Sequence, residues 1–408
     1  MSRGLSVILR WMLYIFYILV IEQVLQGLNS LRSGFLWLRM ARQRSASAVG
    51  FYTPGVALFC PVKGVDPGLE QNLTALTQFD YVQYEIFFAV AGPKDPAFPV
   101  IERVAKKSQR PVHIVQAGAA TDCGEKVNNL RTAVQQAGGA FDVFVFADSD
   151  GRPPRRWLAR LVAPLADPRV GAATTFRWLL PASGGFWNAL ASAWNAPIAT
   201  YLGNHDHNFC WGGGTAIRRE RFEEVRALEA WSGSVSDDFS LTNALHGAGF
   251  QIVFVPDALV ASPIDMNAER LLEFTTRQLI ITRVYSQKVW VQALIGHSLY
   301  CASVLLGLGI WFATWASGFP SFQILLLALL PPILCSARGI LRLVAVIDLM
   351  PEWRQQLLKY GWAWTLLAPL VPFLSFYNAV VAGFQRKITW RGIRYELIST
   401  RQTQILAR

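Results

Sequence analysis

The chain has 408 residues, of which 52% are hydrophobic and only 16% are charged, and its formal net charge is +11. Soluble domains usually carry about 25% charged residues, so this composition argues against a wholly soluble chain and predicts a soluble domain joined to a membrane portion. Nucleic acid is the less favoured partner for a basic chain here, because the polar half lacks a Lys/Arg stripe with interleaved aromatic residues.

An apolar, aromatic stretch from Leu5 to Leu28 opens the chain and predicts a retained membrane anchor. A cleaved signal peptide is less favoured, because no small-residue cleavage site follows the stretch. By the positive-inside rule, the arginines that come next place the following domain in the cytoplasm. These residues are Arg32, Arg39, Arg42 and Arg44. We assign residues 1–46 to the anchor and its basic juxtamembrane segment.

Residues 47–287 alternate short apolar runs with amphipathic segments. The predicted strands are Val56–Val62, Glu85–Val90, Val112–Val115 and Val143–Ala147, and the predicted helices are Leu69–Phe79, Phe98–Ser108 and Lys126–Ala137. This alternation predicts an α/β domain with a mostly parallel sheet and helices on both faces. Ligands bind beyond the carboxyl ends of the strands in such sheets, so we examine the residues that follow each strand.

Four polar residues that follow the first three strands are candidate donor contacts. Lys63 and Asp66 lie in a glycine turn suited to a nucleotide, although an ordinary strand-to-helix turn would look the same. Asp95 is placed either to accept hydrogen bonds from a base or ribose or to cap the next helix. Lys126 opens a helix after a glycine, where it would meet a phosphate or simply be solvated.

Strand Val143–Ala147 runs directly into Asp148-Ser149-Asp150. Two carboxylates at a strand end are enough for Mg²⁺ or Mn²⁺ when the substrate's phosphate oxygens complete the coordination. Such a cation would neutralise a diphosphate leaving group. An acidic turn is the plainer alternative, but the position at the end of a buried strand favours a metal site at Asp148 and Asp150.

Two further motifs lie in the second half of the domain. The glycine run that contains Gly213 is flanked by aromatic residues and would line an acceptor or donor-sugar pocket, or form a flexible turn. Asp237 and Asp238 precede an amphipathic helix, where one carboxylate would cap the helix and leave the other free as a general base. His205-Asp206-His207 is less favoured as a metal site, because no third ligand is evident.

Residues 288–385 contain three apolar stretches, Trp290–Ala316, Phe319–Ile347 and Gly361–Phe384, and residues 386–408 form a basic tail. A tail on the cytoplasmic side requires an even number of crossings after the catalytic domain. Either the stretch with Pro331-Pro332 is re-entrant or broken, or the tail lies on the other side of the membrane.

The chain resembles the ceramide glucosyltransferases and their bacterial relatives, which are lipid-directed GT-A glycosyltransferases. The resemblance rests on these motifs in order: Pro61-Val62-Lys63-Gly64-Val65-Asp66-Pro67, Asp95-Pro96-Ala97, Lys126-Val127-Asn128-Asn129-Leu130, Asp148-Ser149-Asp150, Asp237-Asp238-Phe239 and Trp390-Arg391-Gly392. It implies that Asp95 contacts the nucleotide, Lys126 contacts the uridine diphosphate, and Asp148 and Asp150 hold the donor and the metal. It also implies that Asp238 is the catalytic base.

One motif departs from the family pattern, which ends the catalytic domain with Gln or Arg, two residues, and then Arg-Trp. Arg277 occupies the first position and Gln278 follows it, but Ile280-Ile281 replaces Arg-Trp. Arg283, one helical turn further on, is placed to compensate. The change concerns the acceptor more than the chemistry, and it argues against a processive polymer synthase.

These observations predict an inverting transferase that moves a sugar from a UDP-sugar, of the UDP-glucose type, to a hydroxyl of a membrane lipid. We expect a multi-pass membrane protein with a cytoplasmic catalytic domain and a divalent cation. The alternatives are an inactive nucleotide-sugar-binding membrane module and a transferase that acts on a prenyl- or hopanoid-type acceptor. A transporter or channel is disfavoured, because most of the chain is soluble and the spans carry few ionisable groups.

Overall fold

The computed structural model describes residues 3–45, 52–318 and 320–408. The helices within those residues are α1 (Arg3–Ser45), α2 (Leu69–Leu76), α3 (Phe98–Lys107), α4 (Glu125–Ala137), α5 (Trp157–Val162), α6 (Phe186–Ala199), α7 (Arg219–Glu224), α8 (Ala227–Ala230), α9 (Asp237–Gly247), α10 (Ala268–Tyr285), α11 (Gln287–Ala316), α12 (Phe322–Leu349), α13 (Arg354–Leu366) and α14 (Val371–Phe384). The strands are β1 (Val56–Pro61), β2 (Tyr84–Val90), β3 (Val112–Gln116), β4 (Val143–Ala147), β5 (Val170–Thr174), β6 (Arg177–Pro181), β7 (Gly214–Arg218), β8 (Gln251–Phe254), β9 (Val260–Ile264), β10 (Lys387–Trp390), β11 (Ile393–Ser399) and β12 (Gln402–Ala407).

Seven strands form a central sheet in the order β3-β2-β1-β4-β7-β5-β8. All the neighbouring pairs are parallel except those that β7 makes with β4 and β5. Every residue of β1 and β4 is buried, as expected for strands covered on both faces. The predicted α/β class with a mostly parallel sheet is therefore confirmed. The remaining strands form the parallel pair β6-β9 and the antiparallel sheet β10-β11-β12.

The two faces of the central sheet bury separate hydrophobic cores, because successive side chains of a strand point to opposite faces. Leu58 of β1 packs in the core that includes α2, α3 and α5, whereas Phe59 packs in the core that includes α4, α7 and α9. The first core continues into the long helices, since it also contains Trp37 of α1, Val346 of α12 and Trp364 of α13. The α/β domain and these helices thus share one packed interior.

Three helices among the described residues are long and apolar enough to cross a membrane, and they span Arg10–Gln43, Gln287–Ala316 and Phe322–Leu349. The segments Pro351–Leu366 and Ala368–Phe384 together meet the same criteria but meet at an angle of 48°. The suggested break at Pro331-Pro332 is not present, because α12 runs through both prolines. Apolar helices tolerate internal proline when neighbouring helices and local backbone adjustments satisfy the freed groups. The bend lies instead between α13 and α14.

Small residues let these helices approach one another closely. A Cβ added to Gly27 of α1 would lie 2.6 Å from Leu334 Cδ1 of α12. A Cβ added to Gly339 of α12 would lie 1.7 Å from the Trp364 carbonyl oxygen of α13. Side chains larger than hydrogen would therefore separate α12 from both neighbours, as is typical of helix contacts built on glycine.

Residues 386–408, predicted as a basic tail, include a folded antiparallel sheet of β10, β11 and β12. This sheet packs on α10 through a hydrophobic cluster that contains Ile280, Ile281, Ile388 and Tyr395. Ile280 and Ile281 are only 2% and 5% exposed. The two isoleucines that depart from the family pattern thus attach the C-terminal sheet to α10.

Candidate active site

A buried lysine joins two carboxylates at the carboxyl end of the central sheet. Asp148 directly follows β4, Lys126 lies in the first turn of α4 and Asp237 in the first turn of α9. Lys126 Nζ is 2.8 Å from Asp148 Oδ1 and 3.1 Å from Asp237 Oδ1. The structure thus brings together three residues that were predicted from three separate motifs.

The amino ends of α4 and α9 meet because the backbone between them is in direct contact. The Gly124 N–H donates to the Ser234 carbonyl over 2.8 Å. A Cβ at Gly124 would lie 3.0 Å from Val235 Cα, so only glycine permits this approach without a shift. The contact fixes the separation of Lys126 and Asp237.

The predicted glycine run lies against this charged cluster. A Cβ at Gly212 would be 2.3 Å from Asp237 Oδ2 and 2.6 Å from Lys126 Nζ. A Cβ at Gly213 would be 2.5 Å from Asp148 Oδ2. Because these glycines have no side chains, the run leaves room for Lys126, Asp148 and Asp237 against its backbone. From the sequence alone, such a glycine run looks the same as a flexible turn.

The close packing of these charged side chains shifts their pKa values. Burial raises the pKa of Asp237 to about 6, Asp238 and Asp148 add to the rise, and Lys126 opposes it. Burial by itself lowers the pKa of Lys126, but the neighbouring carboxylates outweigh it and hold that pKa above its usual value. Burial also disfavours ionised Asp148, yet Lys126 and Arg177 keep its pKa below the usual range. At neutral pH the site thus contains a protonated lysine and an ionised Asp148.

Asp150 has one oxygen available for a ligand. Its Oδ2 accepts a hydrogen bond of 3.2 Å from Arg177, whereas its buried Oδ1 has no hydrogen-bond partner. Burial raises the pKa of Asp150, Arg177 opposes that rise and Asp148 adds to it. No group of three His, Cys, Asp or Glu residues in the described part of the chain is arranged to hold a metal. The two carboxylates fit a cation such as Mg²⁺, which keeps waters and takes phosphate oxygens as further ligands.

Asp238, the predicted base, is partly buried beside the charged cluster. Its Oδ1 accepts hydrogen bonds from the Phe239 N–H over 2.8 Å and from the Ser236 hydroxyl. Ser236 Oγ also accepts from the Phe239 N–H and caps α9. Asp238 therefore lies at the helix start with one oxygen anchored, and it lines the cavity described below.

The other predicted donor residues lie at the ends of the first two strands. Asp95 Oδ1 accepts from the N–H groups of Gly64 and Ala97, each over 2.9 Å. It thus holds the glycine turn after β1 as well as the start of α3. Lys63 forms an ion pair with the buried Glu125, and Asp66 forms one with Arg391.

Several residues of the site were not predicted from the sequence to have a role there, and they come from distant segments of the chain. Arg177 is the first residue of β6, and in the sequence it is a single charged residue before an apolar run. The C-terminal sheet contributes Arg391 to Asp66 and the Tyr395 hydroxyl, which accepts from the Glu125 N–H over 3.2 Å. Trp390-Arg391-Gly392 was noted as a family motif, and this motif was the available signal for the C-terminal contribution.

Helix α10 carries the residues that were predicted near the acceptor. Arg277 donates to the Thr389 carbonyl over 3.0 Å and lies 5.5 Å from the centre of the Trp390 ring. Gln278 lines the cavity with Arg277. Arg283 instead donates to the Ala382 carbonyl over 2.7 Å, at the end of α14. The structure thus places Arg283 in a helix contact and not at the cavity wall.

A cavity of about 2710 Å³ extends from the charged cluster to the long helices. One end is lined by Asp148, Asp150, Asp237 and Asp238. The other end is lined by residues of α1, α11 and α12 that include Ser30, His297 and Arg338. A molecule held between the apolar helices would therefore have a continuous path to the acidic centre.

Comparison with known families identifies the chain as an enzyme that transfers sugars. A sequence profile described as glycosyl transferase family 21 matches residues 16–403. The chain belongs to this family and is a glycosyltransferase. The family match confirms the predicted resemblance, and together with the sheet it confirms the predicted class, an α/β domain of GT-A type with apolar helices on either side in sequence.

Individual relatives are more distant. A ceramide glucosyltransferase of Gibberella zeae is 27% identical over 176 residues, which is 40% of this chain and 32% of that protein. The match thus spans about a third of the curated relative's length. Among solved structures, a mannosyltransferase of Pyrobaculum calidifontis in complex with GDP-Man and Mn²⁺ has a TM-score of 0.46 and 16% identity, with 89% of this chain and 99% of that chain covered. Glucosyl-3-phosphoglycerate synthase of Mycobacterium tuberculosis has a TM-score of 0.40 and 17% identity, with 61% and 83% covered.

Proposed function

We propose that the protein transfers a sugar from a UDP-sugar of the UDP-glucose type to a hydroxyl of a membrane lipid, with inversion at the anomeric carbon. The observation that carries the proposal is the single cavity that joins the charged cluster to α1, α11 and α12. The similarity to a ceramide glucosyltransferase supports a glucose donor and a lipid acceptor.

The donor would lie over the carboxyl ends of β1, β2 and β4. Asp148 and Asp150 are suited to hold a divalent cation, Mg²⁺ or Mn²⁺, which when bound neutralises charge on the diphosphate leaving group. Lys126 stays protonated beside them and supplies a fixed positive charge for the same group. Lys63, Asp66 and Asp95 are the proposed nucleotide contacts, with Asp95 also holding the turn that presents Lys63.

Asp238 is the proposed general base. Asp237 is less suited to that role, because its carboxylate is buried and paired with Lys126. Asp238 is partly exposed to the cavity and makes no such ion pair among the described residues. In the reaction, the lipid oxygen bonds to the anomeric carbon as the bond from that carbon to the diphosphate breaks. The hydroxyl proton passes to Asp238, and the nucleoside diphosphate leaves.

The membrane arrangement follows from the positions of the apolar helices. We propose that α1, α11 and α12 cross the bilayer and that the arginines at the end of α1 keep the catalytic domain in the cytoplasm. Residues 1–46, 47–287, 288–385 and 386–408 would then be the anchor, the catalytic domain, the membrane helices and the cytoplasmic C-terminal sheet. A lipid would enter the cavity sideways from the bilayer, near Arg277 and Gln278.

The proposal is tested with purified full-length protein, UDP-sugars, Mg²⁺ or Mn²⁺, and a total lipid extract. We expect lipid-stimulated release of uridine diphosphate that a chelator abolishes. Asp238→Asn should bind the donor with unchanged affinity and lose at least about 100-fold in transfer rate, the usual contribution of a general base. Asp80→Asn, which changes an exposed carboxylate on the surface, is the matched control. Near-normal transfer by Asp238→Asn would refute the assignment of the base, and no release with any donor would refute the activity.

A further inference from the structure

A tyrosine at the end of α10 contacts the loop that precedes the proposed base. The Tyr285 hydroxyl accepts a hydrogen bond from the Val235 N–H over 2.8 Å and lies 2.9 Å from Ser234 Oγ. Both loop residues are fully buried, and Tyr285 is only 6% exposed. The described wall of the cavity does not include Tyr285, so this residue acts on the site only through its neighbours.

Hydrogen bonds continue from this loop to the carboxylate. The Ser236 N–H donates to Ser234 Oγ over 3.1 Å, and the Ser234 hydroxyl is within 2.9 Å of the Ser236 carbonyl oxygen. Ser236 in turn donates its hydroxyl to Asp238 Oδ1 and accepts from the Phe239 N–H as the N-cap of α9. Two serines thus link the Tyr285 hydroxyl to one oxygen of Asp238.

Helix α9 is attached to the same tyrosine by its own side chains. Ser240 Oγ lies 2.8 Å from Ser234 Oγ, and the Asn243 side chain donates to the Tyr285 carbonyl over 3.3 Å. The rings of Phe239 and Tyr285 are 5.9 Å apart. Because the backbone, the ring and the hydroxyl of Tyr285 all have partners, the hydroxyl has a fixed position relative to the start of α9.

The same helix, α10, forms part of the cavity wall. Gln278 and Tyr285 are seven residues apart on α10, which is close to two turns, so they lie on the same side of the helix. Gln278 lines the cavity at the end where the acceptor is proposed to enter. Helix α10 therefore sets both the wall beside the acceptor and, through Tyr285, the loop that precedes the base.

We propose that Tyr285 is a positioning residue for the general base. Its hydroxyl fixes residues 234–236, and these fix Asp238 Oδ1, which leaves the second oxygen of Asp238 for the lipid hydroxyl. A misplacement of about 1 Å can cost roughly 100-fold in rate, so a hydrogen bond remote from the reacting atoms can control turnover. The inference rests on the proposed function, in which Asp238 takes the proton.

The test compares Tyr285→Phe with Tyr84→Phe in the full-length protein, because phenylalanine keeps the ring and removes only the hydroxyl. Tyr84 of β2 is the matched control, since it is 2% exposed and its hydroxyl accepts from the Phe79 N–H over 3.1 Å. Each variant leaves one buried N–H unpaired, so both should lower the melting temperature. Only Tyr285→Phe should reduce kcat, by roughly 10- to 100-fold, with the KM for the donor unchanged.

A double variant distinguishes this role from a general structural one. If Tyr285 acts through Asp238, adding Tyr285→Phe to Asp238→Asn should cause no further loss of transfer rate. Losses that multiply, a raised donor KM with unchanged kcat, or equal effects of the two tyrosine variants on kcat would each overturn the inference. The transferase activity of the wild type would stand in all three cases.

Hydrogen–deuterium exchange tests the contact without relying on turnover. Tyr285→Phe should increase exchange at the amides of residues 234–239, whereas Tyr84→Phe should increase it at Phe79. Unchanged exchange in residues 234–239 would contradict the inference at any transfer rate. If exchange there increases but the wild type transfers no sugar from any donor, the proposed function is refuted, and the hold of Tyr285 on the loop before Asp238 is still supported.

Discussion

Replacing Lys126 with methionine removes the cation shared by Asp148 and Asp237 while keeping a side chain of similar length. The lysine is 16% exposed and its partners are 19% and 5% exposed, so solvent screens these pairs weakly. Breaking a buried ion pair by removing one partner destabilises a protein by about 3–5 kcal/mol. At about 2–4 °C per kcal/mol for a domain of this size, the melting temperature should fall by roughly 6–20 °C.

The loss should depend on pH in a direction set by Asp237. Its pKa is raised to about 6, so its contribution to stability is fully present below the usual carboxyl pKa and declines as pH rises through about 6. Without Lys126 to oppose the rise, Asp237 retains its proton to still higher pH. The variant should therefore lose much more stability at about pH 8 than at about pH 5.

The measurement is differential scanning fluorimetry of the detergent-purified protein at both pH values, with one heating rate throughout because unfolding of such proteins is often irreversible. Lys107→Met is the matched control, since Lys107 is 72% exposed in a surface pair with Glu70. It should change the melting temperature little at either pH. An equal shift of the Lys126 variant at both pH values would show that the carboxylates do not depend on the lysine charge.

Two further predictions concern close packing. Gly213→Ala would place a Cβ 2.5 Å from Asp148 Oδ2 and should reduce transfer at least about tenfold, a loss equivalent to about 1.4 kcal/mol, whereas Gly139→Ala, where the Cβ meets open space, should retain activity in the same assay. Ile280→Ala should lower the free energy of unfolding by about 2–5 kcal/mol and expose β10–β12 to limited proteolysis, because Ile280 anchors that sheet. Protease resistance equal to the wild type would refute this anchoring role.

Local sequence patterns predicted those site residues whose position depends on a single strand or on the start of a single helix. The continuous apolar run of β4 places Asp148 at the sheet edge, and the acidic pair before the apolar residues of α9 places Asp238 at the start of that helix, where Ser236 forms the N-cap that was expected of a carboxylate. Parallel strands end at a common edge, so these residues were expected to gather there. The patterns did not predict which of Asp237 and Asp238 pairs with Lys126, because only the packed structure shows that Asp237 does.

Contacts between distant segments could not be predicted in the same way. Arg391 reaches Asp66 across 325 residues of sequence, and no periodicity or spacing relates the two. Arg283 was expected to replace a missing acceptor contact from its helical spacing, but the neighbouring α14 provides the carbonyl that binds it. The break expected at Pro331-Pro332 was based on the tendency of proline to interrupt helices. The packing of α12 against its neighbouring helices overrides that tendency here.

The C-terminal sheet has a consequence for how the enzyme is made. Strands β10–β12 are synthesised after α11–α14, yet they supply Arg391 to Asp66 and the Tyr395 hydroxyl to the start of α4. A ribosome-bound chain therefore has its acidic centre without the segment that braces it. Under the proposed function, the nucleotide side of the site would be complete only after α14 has left the ribosome, so catalytic competence would follow the synthesis of the last apolar helix.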